Sequence, residues 1–314
     1  MTDMRFRRLG DSGLVVSVVG LGCNNFGRRI GREQTQQVVD AAIDAGITLF
    51  DTSDTYGDSE DFLGEALGSR RGDVIVATKF GMDMGGRLGA DWGARGSRRY
   101  IRKAVESSLR RLGTDWIDLY QMHRPDPKTP IEETLAALQE LVVEGEVRYV
   151  GCSNFAGWQI ADADWIARSH GWSRFISAQN HYSLVERDVE AEVVPACQRF
   201  GLGLLPYFPL ANGLLTGKYR RGEPPPEGTR LASRTDWLND ERFDRVEALQ
   251  KYAEQRGVSL LDVAIGGLAA QPAVGSVIAG ATKPEQVRAN VAAGGWEPSA
   301  DDLEALNALA LPVA

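Results

Sequence analysis

Histidine and cysteine are scarce in this chain of 314 residues, with three of each. His123, His170 and His181 do not fall at metal-ligand spacing, so a metal-dependent hydrolase barrel lacks its ligands and no metal site is expected. Cys23, Cys152 and Cys197 are an odd, scattered trio, which excludes a disulfide framework and points to reduced thiols in the cytoplasm. No run approaches the roughly 18 apolar residues that a membrane-spanning helix needs. The N-terminus, Met1 to Arg8, has no apolar stretch after its basic residues, so no signal peptide is expected. Positive charge is also in deficit: 35 Lys and Arg against 43 Asp and Glu leave a net charge of -8. That balance argues against a nucleic-acid or anionic-membrane partner. Finally, Gly20-Leu21-Gly22-Cys23-Asn24-Asn25 lacks the third glycine of a Gly-x-Gly-x-x-Gly turn, which counts against an open dinucleotide-binding sheet.

What remains is an ordinary soluble composition, 43% hydrophobic and 25% charged, and a regular alternation. Strand-like apolar runs begin near Val18, Ile47, Val74, Ile117, Val147, Phe175, Leu202 and Gly275. Helix-like stretches with apolar spacing near 3.6 lie between them, among them Gln37 to Gly46, Ile101 to Leu112, Ile131 to Glu144, Val189 to Phe200 and Pro284 to Ala293. Such alternation predicts an α/β fold with a parallel sheet and right-handed crossovers. Eight repeats close most naturally into a (β/α)8 TIM barrel, here one domain over residues 1–314; an open doubly wound sheet is the runner-up. Phe6 to Leu9 and Leu14 to Ser17 flank Gly10-Asp11-Ser12-Gly13 and read as a β-hairpin plugging the N-terminal end of the barrel. Two repeats are too long. A glycine-rich excursion fills Gly81 to Gly96, and a second, with Pro224-Pro225-Pro226, fills Ala211 to Asp240. Both follow strands and so belong to the C-terminal rim, where long loops act as lids or binding arms.

Three strands end in titratable residues: Asp51 after Ile47-Thr48-Leu49-Phe50, Lys79 after Val74 to Thr78, and His123 after Ile117 to Met122. Tyr56 follows five residues beyond Asp51. On one barrel rim the four converge. Lys79 ends a buried strand and needs a counter-charge, for which Asp51 is the natural candidate. A lysine cation beside the phenol of Tyr56 favours the phenolate, which is expected to lower its pKa and suit it to general acid catalysis. Neutral His123 would orient a carbonyl by donating a hydrogen bond. This group protonates or deprotonates an oxygen, and the hydride for carbonyl reduction must then come from a cofactor. Trp92, Phe26 and Asn25, with Tyr56, suggest an aromatic-walled substrate pocket.

The segment Asp51-Thr52-Ser53-Asp54-Thr55-Tyr56-Gly57, followed by Glu60, Leu63-Gly64 and Ala66-Leu67, resembles the first signature of the aldo-keto reductases. Lys79 and His123 fall where that family places the rest of its Asp-Tyr-Lys-His tetrad, and the likeness runs from Gly20 to Asn290. It implies a (β/α)8 barrel that reduces an aldehyde or ketone with NADP(H), without a metal, acting on a small-molecule carbonyl or alcohol. By the same likeness Ser153, Asn154 and Gln179 serve the nicotinamide amide, together with Asp51, and Tyr207 stacks on the ring. Phe208 and Leu210 follow it, and Gly22, Cys23 and Asn24 line the ribose side. Gly280, Thr282, Lys283, Gln286 and Asn290 form the adenosine-phosphate segment, where the helix beginning at Pro284 offers free amides to phosphate.

The chain departs from many relatives at four of these places. Gly280 stands for a lysine and Gln286 for an arginine that grip a 2′-phosphate; Ala289 replaces an acidic residue and Phe208 a serine. Branches resembling the potassium-channel β subunits share the Gly and Gln, so the resemblance still implies NADP(H) in preference to NAD(H), with Lys283 and Arg288 supplying positive charge. A second functional reading is a cofactor-bound, redox-sensing regulatory or binding protein on the same barrel.

Overall fold

The computed structural model describes residues 4–309, and all eight expected strands are present and parallel. They are β3 (Val19–Gly22), β4 (Leu49–Asp51), β5 (Ile75–Phe80), β6 (Ile117–Met122), β7 (Val147–Ser153), β8 (Phe175–Gln179), β9 (Gly203–Leu204) and β10 (Val277–Gly280), in the order β10-β3-β4-β5-β6-β7-β8-β9. The two edges meet through the residues flanking β9 and β10. The Leu204 amide donates to Ala273 O at 2.7 Å and the Gly275 amide donates to Leu204 O at 2.8 Å. The result is a (β/α)8 barrel, with β1 (Phe6–Arg8) and β2 (Val15–Ser17) forming the expected antiparallel hairpin.

The helices lie between the strands as α1 (Arg32–Asp44), α2 (Ser59–Leu67), α3 (Arg98–Leu112), α4 (Ile131–Glu144), α5 (Gly157–His170), α6 (Val193–Phe200), α7 (Asp240–Arg256), α8 (Leu260–Asp262) and α9 (Pro284–Ala293), with α10 (Ala300–Leu309) after the last. Three expected helices have different starts. The first begins at Arg32 rather than Gln37, α3 begins at Arg98 rather than Ile101, and the stretch from Val189 breaks into a 3-10 turn, Asp188–Glu190, before α6. None of the described helices is long and apolar enough to cross a membrane.

Along each strand, alternate residues face the barrel axis. The inward series Leu49 then Asp51, Ile75 then Ala77 then Lys79, and Leu119 then Gln121 are apolar at the start and polar at the end. Two environments follow from that gradient. The lower barrel is a dry cluster of Leu49, Ala77, Leu119, Leu205 and Ile278, closed from below by Leu9 and Val16 of the hairpin. The upper barrel is where the polar ends meet. Leu9 is held by two glycines: a Cβ on Gly203 would lie 2.4 Å from Leu9 Cδ1, and one on Gly275 would lie 2.5 Å from it. The hairpin is therefore a plug, as its sequence indicates.

Leu9 is fully buried, so Leu9→Ala removes the plug's anchor and leaves a cavity beside Gly203 and Gly275, which have no side chains to fill it. Urea unfolding is expected to show a loss of about 2–5 kcal/mol. A loss under ~1 kcal/mol would mean that the hairpin is not needed to seal the barrel.

Candidate active site

The polar ends of the inward series are joined by the ladder itself. Register places Gly22 beside Asp51, Asp51 beside Ala77, Lys79 beside Gln121 and Ser153 beside Gln179. Lys79 thus stands one pleat above the neighbour of Asp51, and its long chain folds back to it. Its ammonium, with no exposed surface, donates to Asp51 Oδ1 and Oδ2, both at 2.8 Å, and to Thr52 O at 2.7 Å. Burial pushes the lysine pKa down, but Asp51 and then Tyr56 outweigh it and hold the ammonium above its usual range. The ammonium stays charged inside the barrel. Gln179 Nε2 donates to Asp51 Oδ1 at 2.8 Å and fixes the carboxylate from the opposite side.

Tyr56 comes to the same place along the turn after β4. Its ring centroid is 5.1 Å from Lys79 Nζ and 5.9 Å from the His123 ring, which meets it edge-on. The expected lowering of the phenol pKa does not win. Burial is the larger influence and pushes it above its ordinary value, while Lys79 pulls it back by charge and hydrogen bonding. Sequence gives the partner but not the depth. His123 is pushed down to about 3 by burial first and then by Lys79 and Arg124, so it is neutral at any working pH. Its Nδ1 lies 3.1 Å from Ser53 Oγ, and its carbonyl accepts from Asn154 Nδ2 at 2.9 Å.

From this tetrad a cavity of about 710 Å³ runs across the rim. Gly22, Asn24, Asp51, Tyr56, His123, Ser153, Asn154, Gln179, Tyr207, Phe208, Leu210, Gly280, Thr282, Gln286 and Asn290 all line it. Their polar groups are already ordered: Tyr207 Oη donates to Asn154 Oδ1 at 2.8 Å, and Ser153 Oγ donates to Gln179 O at 2.7 Å. His181 stacks on Tyr207 at 5.4 Å between centroids and holds the phenol ring upright. Gln286 Oε1 accepts from the Thr282 amide at 2.8 Å, closing the loop before α9.

Other expected residues lie elsewhere. Cys23 is fully buried and its thiol donates to Leu21 O; Lys283 and Arg288 are exposed, and none of the three lines the cavity. The aromatic-walled pocket needs correcting, because of its proposed walls only Asn25 and Tyr56 line the cavity. Phe26 is fully buried in the core, and Trp92 is 74% exposed with Arg99 5.5 Å above its ring. The two excursions also differ from expectation. No residue of Gly81 to Gly96 lines the cavity. That segment is tied down beside it, with Arg95 bridging Asp83 and Asp91 and Tyr100 Oη donating to Met82 O.

The second excursion does line the cavity, through Asn212, Gly213, Thr216, Lys218, Gly228, Thr229 and Arg230. It brings cations that sequence reasoning missed. Arg230 donates to Asn25 Oδ1 at 3.0 Å, and Arg29, from the facing turn, donates to Gly228 O at 2.8 Å. The excursion leaves the barrel through three non-glycine residues at positive φ: Phe208 (54°), Ala211 (47°) and Asn212 (59°). Such backbone costs of order 1–3 kcal/mol per residue and collects at functional sites. Both polar atoms of the Asn212 amide are buried without a hydrogen-bond partner, so its side chain is set to receive a polar ligand.

The chain's similarities can now be set beside this geometry. A model of the Aldo/keto reductase family matches residues 18–310. The chain is 37% identical over 304 residues to a probable voltage-gated potassium channel subunit beta of Oryza sativa subsp. japonica, covering 92% of this chain and 91% of that protein. It is 36% identical over 300 residues to an uncharacterised oxidoreductase of Bacillus subtilis, with 92% and 91% covered. It is also 36% identical over 300 residues to versiconal hemiacetal acetate reductase of Aspergillus parasiticus, with 86% of each chain covered.

The Asp51–Lys79 pair generates a stability prediction. Lys79→Met leaves a buried carboxylate without its cation and is expected to cost about 3–5 kcal/mol in urea unfolding. Adding Asp51→Asn should recover part of that loss, because the stranded charge is gone. Losses that simply add would show that the two side chains do not act as a pair.

Proposed function

The chain belongs to the aldo/keto reductase family, and from that premise we propose that it reduces an aldehyde or ketone to an alcohol with NADP(H), Tyr56 acting as general acid. The observation that carries the reading is the buried Asp51–Lys79 pair set against Tyr56 and neutral His123, with Asp51, Tyr56 and His123 lining one cavity. The relative named as versiconal hemiacetal acetate reductase supports a carbonyl-type substrate.

The residues present fit a dinucleotide. The cavity, of about 710 Å³, carries an unpartnered buried amide on Asn212, the side chains of Gln286 and Asn290 from α9, and the cations Arg29, Lys218 and Arg230. Ser153, Asn154, Gln179 and Tyr207 would hold the nicotinamide, and Gly22, Asn24, Phe208, Leu210, Gly280, Thr282, Gln286 and Asn290 the remainder. When bound, the cofactor supplies the hydride. The chain's own residues do the rest. His123 donates to the carbonyl oxygen and positions it. Tyr56 Oη gives its proton to that oxygen as charge develops, and the fixed cation of Lys79 stabilises the phenolate left behind. Asp51 keeps Lys79 charged and in place through that change.

A second reading, a cofactor-bound regulatory protein on the same barrel, draws on the relatives named as channel subunits. Turnover separates the two. With NADPH and a panel of aldehydes and ketones, the reductase reading expects many cycles per protein molecule. A single stoichiometric burst would favour the regulatory one.

Tyr56→Phe should keep the fold and cofactor affinity while slowing reduction by about 10²–10⁴-fold, the reach of general acid catalysis. Near wild-type turnover in that variant would remove Tyr56 from its role. For the cofactor, fluorescence titration should show NADPH bound about tenfold or more tighter than NADH, since a 2′-phosphate adds charge-assisted contacts to a cavity lined by cations. Equal dissociation constants, or tighter NADH, would overturn the preference.

A further inference from the structure

Behind the tetrad stands a carboxyl group that the proposed chemistry does not use. Asp54 is 1% exposed, and its Oδ2 is buried with no hydrogen-bond partner. Its backbone is held by the Lys79 carbonyl, which accepts from the Asp54 amide at 3.3 Å. The one hydrogen bond of its side chain is to Ser53 Oγ, at 3.1 Å from Oδ1. The same Ser53 Oγ is 3.1 Å from His123 Nδ1. It also accepts from the Thr55 amide at 3.3 Å and stands 3.1 Å from Thr55 Oγ1, contacts that keep the hydroxyl in place between the two groups. A continuous path therefore runs from Asp54 Oδ1 through Ser53 Oγ to the ring of His123. Nδ1 is turned to Ser53, and Nε2 is the nitrogen left for the cavity that His123 lines.

We propose that Asp54 is a positioning residue that, through Ser53, sets which nitrogen of His123 carries the proton and thereby gates carbonyl reduction. The inference rests on the function proposed above. It follows from counting hydrogens. Ser53 has one proton to give, and neutral His123 has one proton for two nitrogens. When Asp54 is a carboxylate it can only accept, so Ser53 donates to it and in turn accepts from His123 Nδ1–H. His123 Nε2 is then bare and offers a lone pair to a substrate oxygen, which repels it. When Asp54 is a carboxylic acid, it donates to Ser53, Ser53 donates to Nδ1, and the histidine proton sits on Nε2, ready for the carbonyl. The change from one state to the other takes up a single proton. It adds to Nε2, His123 passes its Nδ1 proton to Ser53, and Ser53 passes its own to Asp54 Oδ1; no other bond changes.

The surroundings place this switch near neutrality. Burial and then Glu60 push Asp54 up to about 7, against the opposing pull of Ser53, Arg111 and Lys79. A buried carboxyl with an unpartnered oxygen disfavours its charged form for the same reason. The charged and titratable groups facing it are few. Glu60 of α2 is engaged by Arg111 of α3 at 2.5 Å and by Thr78 Oγ1 at 2.6 Å. Tyr100 of α3 and Tyr120 of β6 also face it and are both pushed up, first by burial. Around His123 stand Lys79, Arg124 and Tyr56. Tyr56 titrates above its usual range, so it adds no step between pH 6 and 8. The sign follows: reduction needs neutral Asp54 and declines as pH rises through about 7.

Two measurements test the relay. In the wild type, kcat/KM for reduction should fall roughly tenfold from pH 6 to pH 8, following the protonated fraction of Asp54. Asp54→Asn, whose amide donates to Ser53 at every pH, should flatten that profile. Histidine-selective ¹⁵N spectra of the cofactor-free protein give a readout that needs no turnover, with His123 identified by its loss in His123→Gln. Its proton should move from Nε2 at pH 6 to Nδ1 at pH 8 in the wild type and stay on Nε2 in Asp54→Asn. A His123 tautomer that is the same at both pH values in the wild type overturns the relay, and so does an unaltered pH profile in the variant. Carbonyl reduction with a flat wild-type profile would remove the relay and leave the proposed function standing. If no carbonyl is reduced, the spectra alone decide.

Discussion

The upper half of this barrel depends on one buried ion pair. Lys79 has no exposed surface and Asp51 shows only an edge to the cavity, and neither is tolerable there without the other. Because the pair must form, the ends of β4 and β5 are locked in register and orientation. Thr52 O, as the third partner of the ammonium, fixes the first residue of the turn that carries Tyr56. Gln179 reaches Asp51 from β8, on the opposite side of the barrel. Three strands distant in sequence are thereby tied at one point. The interaction is costly in desolvation and gives little net stability, so its justification is positional: it delivers a fixed cation to a phenol.

The lower half makes this affordable. A closed apolar layer under the pair, sealed by Leu9 and Val16, keeps solvent from entering along the barrel axis. Without that seal Lys79 would be hydrated, and its pull on Tyr56 would weaken toward the value in water. The hairpin has no residue near the chemistry, yet it sets the dielectric in which the chemistry runs.

Much of this was legible in the sequence, for a physical reason. Parallel strands buried on both faces read as apolar runs, so a titratable residue closing such a run stands out, as Asp51, Lys79 and His123 do. Tyr56 was legible through its spacing from Asp51, and the hairpin through its turn residues. What escaped had no periodicity to betray it. Arg29, Lys218, Arg230 and Asn212 reach the cavity through irregular backbone, whose direction is set by positive-φ residues that sequence pattern does not announce. Trp92 and Phe26 misled for the same reason, since an aromatic in a loop carries no signal of which way it points. The balance at Tyr56 escaped too: a partner lysine can be inferred from residue types, but the depth of burial that outweighs it cannot.

Five residues, Thr52 to Tyr56, concentrate these arguments in a single turn. Thr52 holds Lys79 through its carbonyl, Ser53 meets His123, Asp54 meets Ser53, and the Tyr56 ring stands 5.1 Å from Lys79 Nζ. The turn follows β4 and meets His123, which follows β6, through Ser53. It also separates the surroundings of Tyr56 and His123. Tyr56 answers to Lys79 and Asp51 within the barrel, whereas His123 answers to Ser53 and Asp54 beside it. Under the proposed reduction, the phenol and the imidazole would then be tuned independently, one by a fixed charge and the other by the protonation of a neighbour.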